Sequence, residues 1–204
     1  MGDVRRMELT GGHVALDFVN TLGGLPDRPD DEYLFNYLDL LDWLARVGLL
    51  LPAHHHAMRR AAGETPEEAT RVFENVHRLR GSLDQVLRCR LSGASADAGQ
   101  LGVIRSAYAE AARHATLQEH AESYRLTWST AGAEALRWPL WVIADASLDL
   151  LTDAPLHLLG RCQHCRWLFL DLSRNHSRRW CSMNGCGAIV KMRRHRAARG
   201  SRPR

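Results

Sequence analysis

Apolar positions recur at helical spacing through most of the first three quarters of the chain. Leu34, Tyr37, Leu38, Leu41, Leu44 and Val47 fall three and four apart and make one face of a helix. Asp30 and Asp31 can cap it near Glu32, and Gly48 and Pro52 end it. Thr65-Pro66-Glu67-Glu68 predicts another start, with Thr65 as N-cap, Pro66 in the first helical position and Glu68 completing a capping box. From there Ala69, Val72, Phe73, Val76, Leu79, Leu83, Val86 and Leu87 form an apolar stripe that Gly93 stops. A further helix is expected over 97–114, with Leu101, Ile104, Tyr108 and Ala112 inward. Tyr124-Arg125-Leu126-Thr127-Trp128 alternates and is rich in β-formers, so it reads as a strand, with a hairpin partner beginning near Leu117. Pro139 can open a last helix with Leu140, Ile143, Ala144, Ser147, Leu148 and Leu151 inward. Val14 to Thr21 is apolar but too short for periodicity to separate strand from helix. Asp153-Ala154-Pro155 is the natural boundary, giving domains over 1–155 and 156–204.

Composition supports a packed core: 45% of the 204 residues are hydrophobic and 25% charged. The net charge of +4 conceals an asymmetry. Leu156 to Arg204 carries 12 Lys and Arg against one acid, Asp171, a net of +11, while Met1 to Pro155 carries 15 against 22, a net of −7. A basic end on an acidic body points to a polyanionic partner, with self-association of the two parts as the rival use. Met1 to Leu9 is polar with no apolar stretch behind it, and no apolar run nears the ~20 residues that span a bilayer. A cytoplasmic protein without membrane contact is expected. In that reducing compartment its five cysteines are better suited to metal or free thiols than to disulfides.

The cysteines change the picture of the C-terminal end. Cys162-Gln163-His164-Cys165 is a C-x2-C knuckle and Cys181 to Cys186 a C-x4-C pair, with 15 residues between them. Each pair places two thiolates on one tight turn, roughly 3.5–4 Å apart, as Zn–S bonds of ~2.3 Å require. Four thiolates leave no open position, so one structural Zn2+ is expected; iron in a rubredoxin-like site and a redox C-x-x-C are the rivals. Trp167 to Leu170 reads as a strand, Ser173-Arg174-Asn175 as a turn and Arg178-Arg179-Trp180 as the returning strand, with the last pair at the start of a helix. The fold class is therefore mainly α with a small antiparallel β element: a helical N-terminal domain and a small treble-clef-like four-cysteine zinc finger. His164 and His176 read as exposed loop histidines, and Cys89 as a half-buried helical thiol. Trp167 and Trp180 read as cover for the metal, with stacking on bases as the alternative.

Lys191, Arg194, His195 and Arg199 fall on one face of that last helix, flanked by Arg193 and Arg196, while Arg174, Arg178 and Arg179 form a second cluster on the hairpin. Cations this dense repel unless an anion offsets them, and phosphates do so with release of counterions. Candidate nucleic-acid contacts are thus Arg174, Arg178, Arg179, Lys191, Arg193, Arg194 and Arg196; past Ala197 a solvated tail is expected.

Cys162-x2-Cys165, Phe169-Leu170-Asp171, Ser173-Arg174-Asn175, Arg178-Arg179-Trp180-Cys181-Ser182-Met183, Cys186-Gly187 and Lys191 together resemble the CGNR zinc finger. Leu16-Asp17-Phe18-Val19-Asn20-Thr21 and the helices after it are similar to the ABATE domain that precedes such fingers in bacteria. The resemblance implies a stress-induced transcriptional regulator whose finger binds DNA and whose N-terminal domain senses an effector or dimerises. The motif that names the finger departs here: Cys186-Gly187 is followed by Ala188-Ile189, not Asn-Arg. If that Arg reads a base, its loss removes ~1–3 kcal/mol of recognition.

A DNA-binding regulator is the leading expectation, and an adaptor whose finger docks on an acidic protein the alternative. An enzyme is not expected. His13, Asp17, Asn20 and the run His54-His55-His56 come with no nucleophile–base spacing or phosphate loop. The histidine run reads as an exposed loop, and Asp17 and Asn20 as bonding local backbone.

Overall fold

The structure, a computed structural model, describes residues 3–24, 31–132 and 134–200, without the side chains of 198–200. His13 opens the first helix, α1 (Val14–Val19), so the segment that periodicity left open is helical. The His13 Nδ1 accepts from the Ala15 N–H at 3.2 Å, and its Nε2 meets Asp149 at 2.8 Å. The next helix, α2 (Tyr37–Arg46), begins later than the acidic pair implied: Asn36 caps it, accepting from the Leu38 and Asp39 N–H groups at 2.8 and 3.0 Å. Asp30 lies outside the described residues, and Glu32 is used elsewhere. Its carboxylate accepts from the Tyr33 and Leu34 N–H groups and from Arg80, which also donates to Thr21.

The histidine run is not a loop. Pro52 takes the first position of α3 (Pro52–Glu64), which carries the run on its outer side; His55 bonds Asp42 at 2.7 Å and His56 donates to the Pro52 carbonyl at 2.8 Å. Pro66 begins α4 (Pro66–Ser92) as expected, but the capping box does not form. The Thr65 hydroxyl turns back to the Ala61 carbonyl at 3.0 Å, because Thr65 also closes α3. The stripe on α4 is buried except for the half-buried Phe73, and Gly93 ends the helix at φ 74°. Asp97 caps α5 (Ala98–His114), whose buried positions are Ile104 and Ala111; Leu101 is 43% exposed and Ala112 faces solvent. Contact with α4 and with the helix that follows rotates the inward face away from those two residues.

β1 (Thr116–His120) and β2 (Ser123–Thr127) form the expected hairpin, with Leu117 opposite Leu126. The helix α6 (Trp138–Thr152) is buried on several sides, since α1, α4 and α5 all pack on it. Leu140, Ile143, Ala144 and Ser147 are inward as read, while Leu148 and Leu151 are half-buried. The chain then enters β3 (Leu159–Arg161), the first Cys pair, and β4 (Leu168–Leu170). β3 is the partner of β4, with Leu159 opposite Leu170, and the returning strand expected at Arg178–Trp180 is absent. The knuckle closes this hairpin through Cys162 N–H to the Trp167 carbonyl at 2.9 Å, leaving the later segment only a loop bond, Gln163 N–H to the Arg179 carbonyl at 3.0 Å.

Leu159, Leu168, Phe169 and Leu170 belong to the same continuous core as Phe18, Trp43 and Leu79. The seam is also hydrogen-bonded. Asn20, 1% exposed, donates to the Leu168 carbonyl at 2.9 Å and accepts from the Leu168 N–H at 2.8 Å, across 148 residues of sequence. Its bonds are therefore not local, whereas Asp17 accepts from the nearby Gly11 N–H at 2.8 Å as expected. Burial pushes the Asp17 carboxyl above its ordinary pKa, which the Gly11 bond partly offsets. Further ties run from Leu170 N–H to the Gly11 carbonyl at 2.8 Å and from the Trp167 indole to the Gly23 carbonyl at 3.1 Å.

Gly160 is fixed by close approach: a Cβ there would lie 2.7 Å from Phe169 Cε2. Gly160→Ala is expected to cost ~1–3 kcal/mol through displacement of that ring. The urea midpoint of the zinc-loaded protein checks this, with helical content unchanged.

Candidate metal centre and basic surface

The first two cysteines sit on the knuckle between β3 and β4. Cys181 precedes and Cys186 lies within a single turn, Met183–Gly187, which Ser182 caps and which runs into α7 (Ala188–Gly200). The Ser182 hydroxyl accepts from Gly185 N–H at 3.1 Å and its carbonyl from Gly187 N–H at 2.9 Å, two bonds that shape the turn around Cys186. The sulfurs of Cys162, Cys165, Cys181 and Cys186 all lie within 4.8 Å of one another, with Cys165–Cys181 and Cys181–Cys186 at 3.6 Å. A tetrahedral ion with bonds of ~2.3 Å spaces its sulfurs ~3.8 Å apart, so the cluster fits zinc. Three of the four are buried and Cys165 is half-buried, which suits a closed structural site.

Hydrogen bonds from Cys165 and Cys181 push the Cys162 thiol down, and donating to Cys162 pushes Cys165 up to about 12 and Cys181 up as well. Burial pushes Cys186 up too. A divalent ion supplies the charge that lets all four ionise, so binding releases protons and weakens on acidification. Neither nearby histidine belongs to the cluster. His164 is 7% exposed, not an open loop residue, because the knuckle folds it inward. His176 is exposed and bonds the Asp171 carbonyl at 2.9 Å. Trp167 is buried beside the metal ligands, and Trp180 is half-buried with the Arg179 guanidinium 5.5 Å above its ring.

The candidate cations divide. Arg178 faces inward: it donates to the carbonyls of Thr10, Trp180 and Cys181 and lies 4.2 Å over the Phe169 ring. It straps the finger to the N-terminal segment, which removes it from the nucleic-acid surface the charge count had given it. Asp171 orders the same loop, accepting from Ser173 N–H at 3.1 Å and Arg178 N–H at 2.7 Å. The Ser173 hydroxyl and these bonds hold its carboxyl below the ordinary range. Arg179 donates to the neutral Gln163 Oε1 at 3.0 and 2.8 Å. Arg174, Lys191, Arg193, Arg194 and Arg196 are exposed and have no acidic partner among the described residues. Every side chain over 191–197 is exposed, so this part of α7 presents charge to solvent all round.

Ile189, where the motif would carry Arg, is half-buried. It lines a cavity of about 310 Å3 between the finger and the N-terminal segment, with Glu8, Asp31, Tyr33 and Trp167. Sequence reasoning missed the seam made by Asn20 and Arg178. Their partners are backbone atoms far along the chain, which no spacing marks.

Two family models match the chain. The model of the ABATE family, described as a "putative stress-induced transcription regulator", matches residues 12–154, and that of the CGNR zinc finger matches residues 159–199. No curated protein matches the chain. The ABATE match spans well over half the sequence, and the chain belongs to that family, with a CGNR zinc finger at its C-terminal side.

Proposed function

We propose that this protein is a transcriptional regulator that binds DNA through the surface its zinc centre organises. The observation that carries the reading is α7, a cationic helix that follows the last cysteine of the cluster, whose side chains over 191–197 are exposed and meet no acid among the described residues. The departure at Ala188-Ile189 bears less on this than the motif suggests, since Ile189 lines a cavity containing Glu8 and Asp31 and does not stand among the exposed cations. Zinc holds the turn and helix in place; Arg174, Arg179, Lys191, Arg193, Arg194 and Arg196 supply phosphate contacts. The helical body takes a small-molecule effector or a second copy, and a cavity of about 440 Å3 lined by Asn75, Arg78, Ser106 and Glu110 supports the former. The protein acts by binding, not turnover. Of the groups an enzyme could use, His13, Asp17 and Asn20 are engaged in a helix cap, a buried turn and the seam, and in the histidine run His55 bonds Asp42 and His56 the Pro52 carbonyl. No helix among the described residues is long and apolar enough to cross a membrane.

The test replaces Lys191, Arg193, Arg194 and Arg196 together by Ala and follows a labelled duplex by fluorescence anisotropy. Loss of four phosphate contacts flattens the dependence of log K on log salt by about 3–4. An unchanged slope removes α7 from the interface.

A further inference from the structure

The candidate contacts named from the sequence leave out a second cationic feature, on the other side of the knuckle. Two neighbouring cavities of about 460 and 440 Å3 share Arg88, Arg161 and Gln163 in their walls. Leu91 and Ser92, at the end of α4, complete one; Gly24, His164 and Arg166 help to complete the other. Among the described residues, no acidic side chain lines either cavity. Arg161 is exposed with no acidic partner among the described residues. Arg88 keeps its Nε on Asp84 at 2.8 Å and one Nη on the Arg166 carbonyl at 3.2 Å, which fixes its position in the wall. At the end of α4 the Cys89 and Arg90 carbonyls accept from the Ala94 and Gly93 N–H groups at 3.0 and 3.4 Å. Gln163 then joins the groove to Arg179, which it accepts from, and so to the loop carrying exposed Arg174.

We infer that this groove, formed jointly by α4 of the helical domain and the zinc knuckle, is a second backbone site that holds phosphates of the duplex bound by α7. The inference rests on the DNA-binding reading above and deepens it, because it gives the ABATE domain itself a contact with nucleic acid. A polyanion fits better than a single small anion. The cations form a track: Arg88 bonds Asp84 and a backbone carbonyl, Arg179 bonds a neutral amide, and Arg161 and Arg174 have no acidic partner among the described residues. Successive phosphates match such a track, and each contact adds to the salt dependence.

The test uses the zinc-loaded full chain, a labelled duplex, and two variants from opposite walls, Arg161→Ala and Arg88→Gln. Each is expected to weaken binding roughly three- to tenfold and to lower the salt slope by about 1, with one zinc per chain retained. Should Arg161→Ala release zinc, Arg88→Gln, on a helix apart from the four cysteines, carries the test. Wild-type binding with both variants unchanged in affinity and slope overturns the inference and leaves the α7 interface standing. Excess inorganic phosphate at constant ionic strength is expected to leave the difference between wild type and variants intact. If phosphate abolishes it, the groove is a small-anion site and the inference fails. A wild-type chain that binds no duplex overturns the underlying reading before any variant is made.

Discussion

Chelating the zinc lowers the melting temperature of the helical body as well as unfolding the finger. The reason is the shared core. Leu159, Leu168, Phe169 and Leu170 share one core with residues of α1, α2 and α4, and β4 packs on α1, so loss of the finger exposes apolar surface on both sides. The finger has little core of its own, and metal binding supplies its folding energy. With free zinc a thousandfold above its dissociation constant, the metal contributes about 4 kcal/mol to the stability of everything that unfolds with it. For a chain of this size that corresponds to a shift of roughly 10 °C in the helical melt. Cys181→Ser should reproduce the shift in excess zinc, because it opens a site whose four sulfurs are mutually within 4.8 Å. A helical melt unmoved by chelation shows instead that the finger is an independent unit.

Asn20→Ala is expected to destabilise the zinc-loaded chain by about 3 kcal/mol. One amide satisfies both backbone groups of Leu168, and no water replaces it at a position 1% exposed. Truncation leaves a buried N–H and a buried carbonyl unpaired, each worth ~1–3 kcal/mol. Asn20→Asp does not rescue, since a carboxylate keeps the acceptor, loses the donor and buries a charge. The urea midpoint measures the loss, and retained zinc stoichiometry separates a weakened seam from a broken metal site. A change below about 1 kcal/mol contradicts the seam as described.

The elements that were legible in the sequence are those whose signals are local. Pro66 and Gly93 bound α4 because each acts through its own backbone dihedral, and the cysteine spacing reveals the metal because each pair sits on one turn. α3 was missed because only Met58 and Ala62 of its residues are buried, too few to impose a period on a histidine-rich segment. β3 was missed because three residues with a central glycine carry no alternation. Arg178 was assigned to the basic surface because a charge count has no direction; its partners, among them the Thr10 carbonyl 168 residues away, exist only once the seam has formed. The groove at Arg88 and Arg161 joins two segments that only the fold brings together.

The central claim is that the zinc-organised end of this chain recognises nucleic acid as a polyanion of defined geometry. The most direct measurement titrates the zinc-loaded full chain into a labelled mixed-sequence duplex across a series of salt concentrations, with polyglutamate of matched charge as competitor. The account predicts binding that weakens steeply with salt and that polyglutamate displaces poorly, since flexible carboxylates do not match the spacing of exposed cations on α7. Absence of binding at low salt, with zinc confirmed in place, or equal preference for the acidic peptide, contradicts it and makes the finger a docking module for acidic proteins.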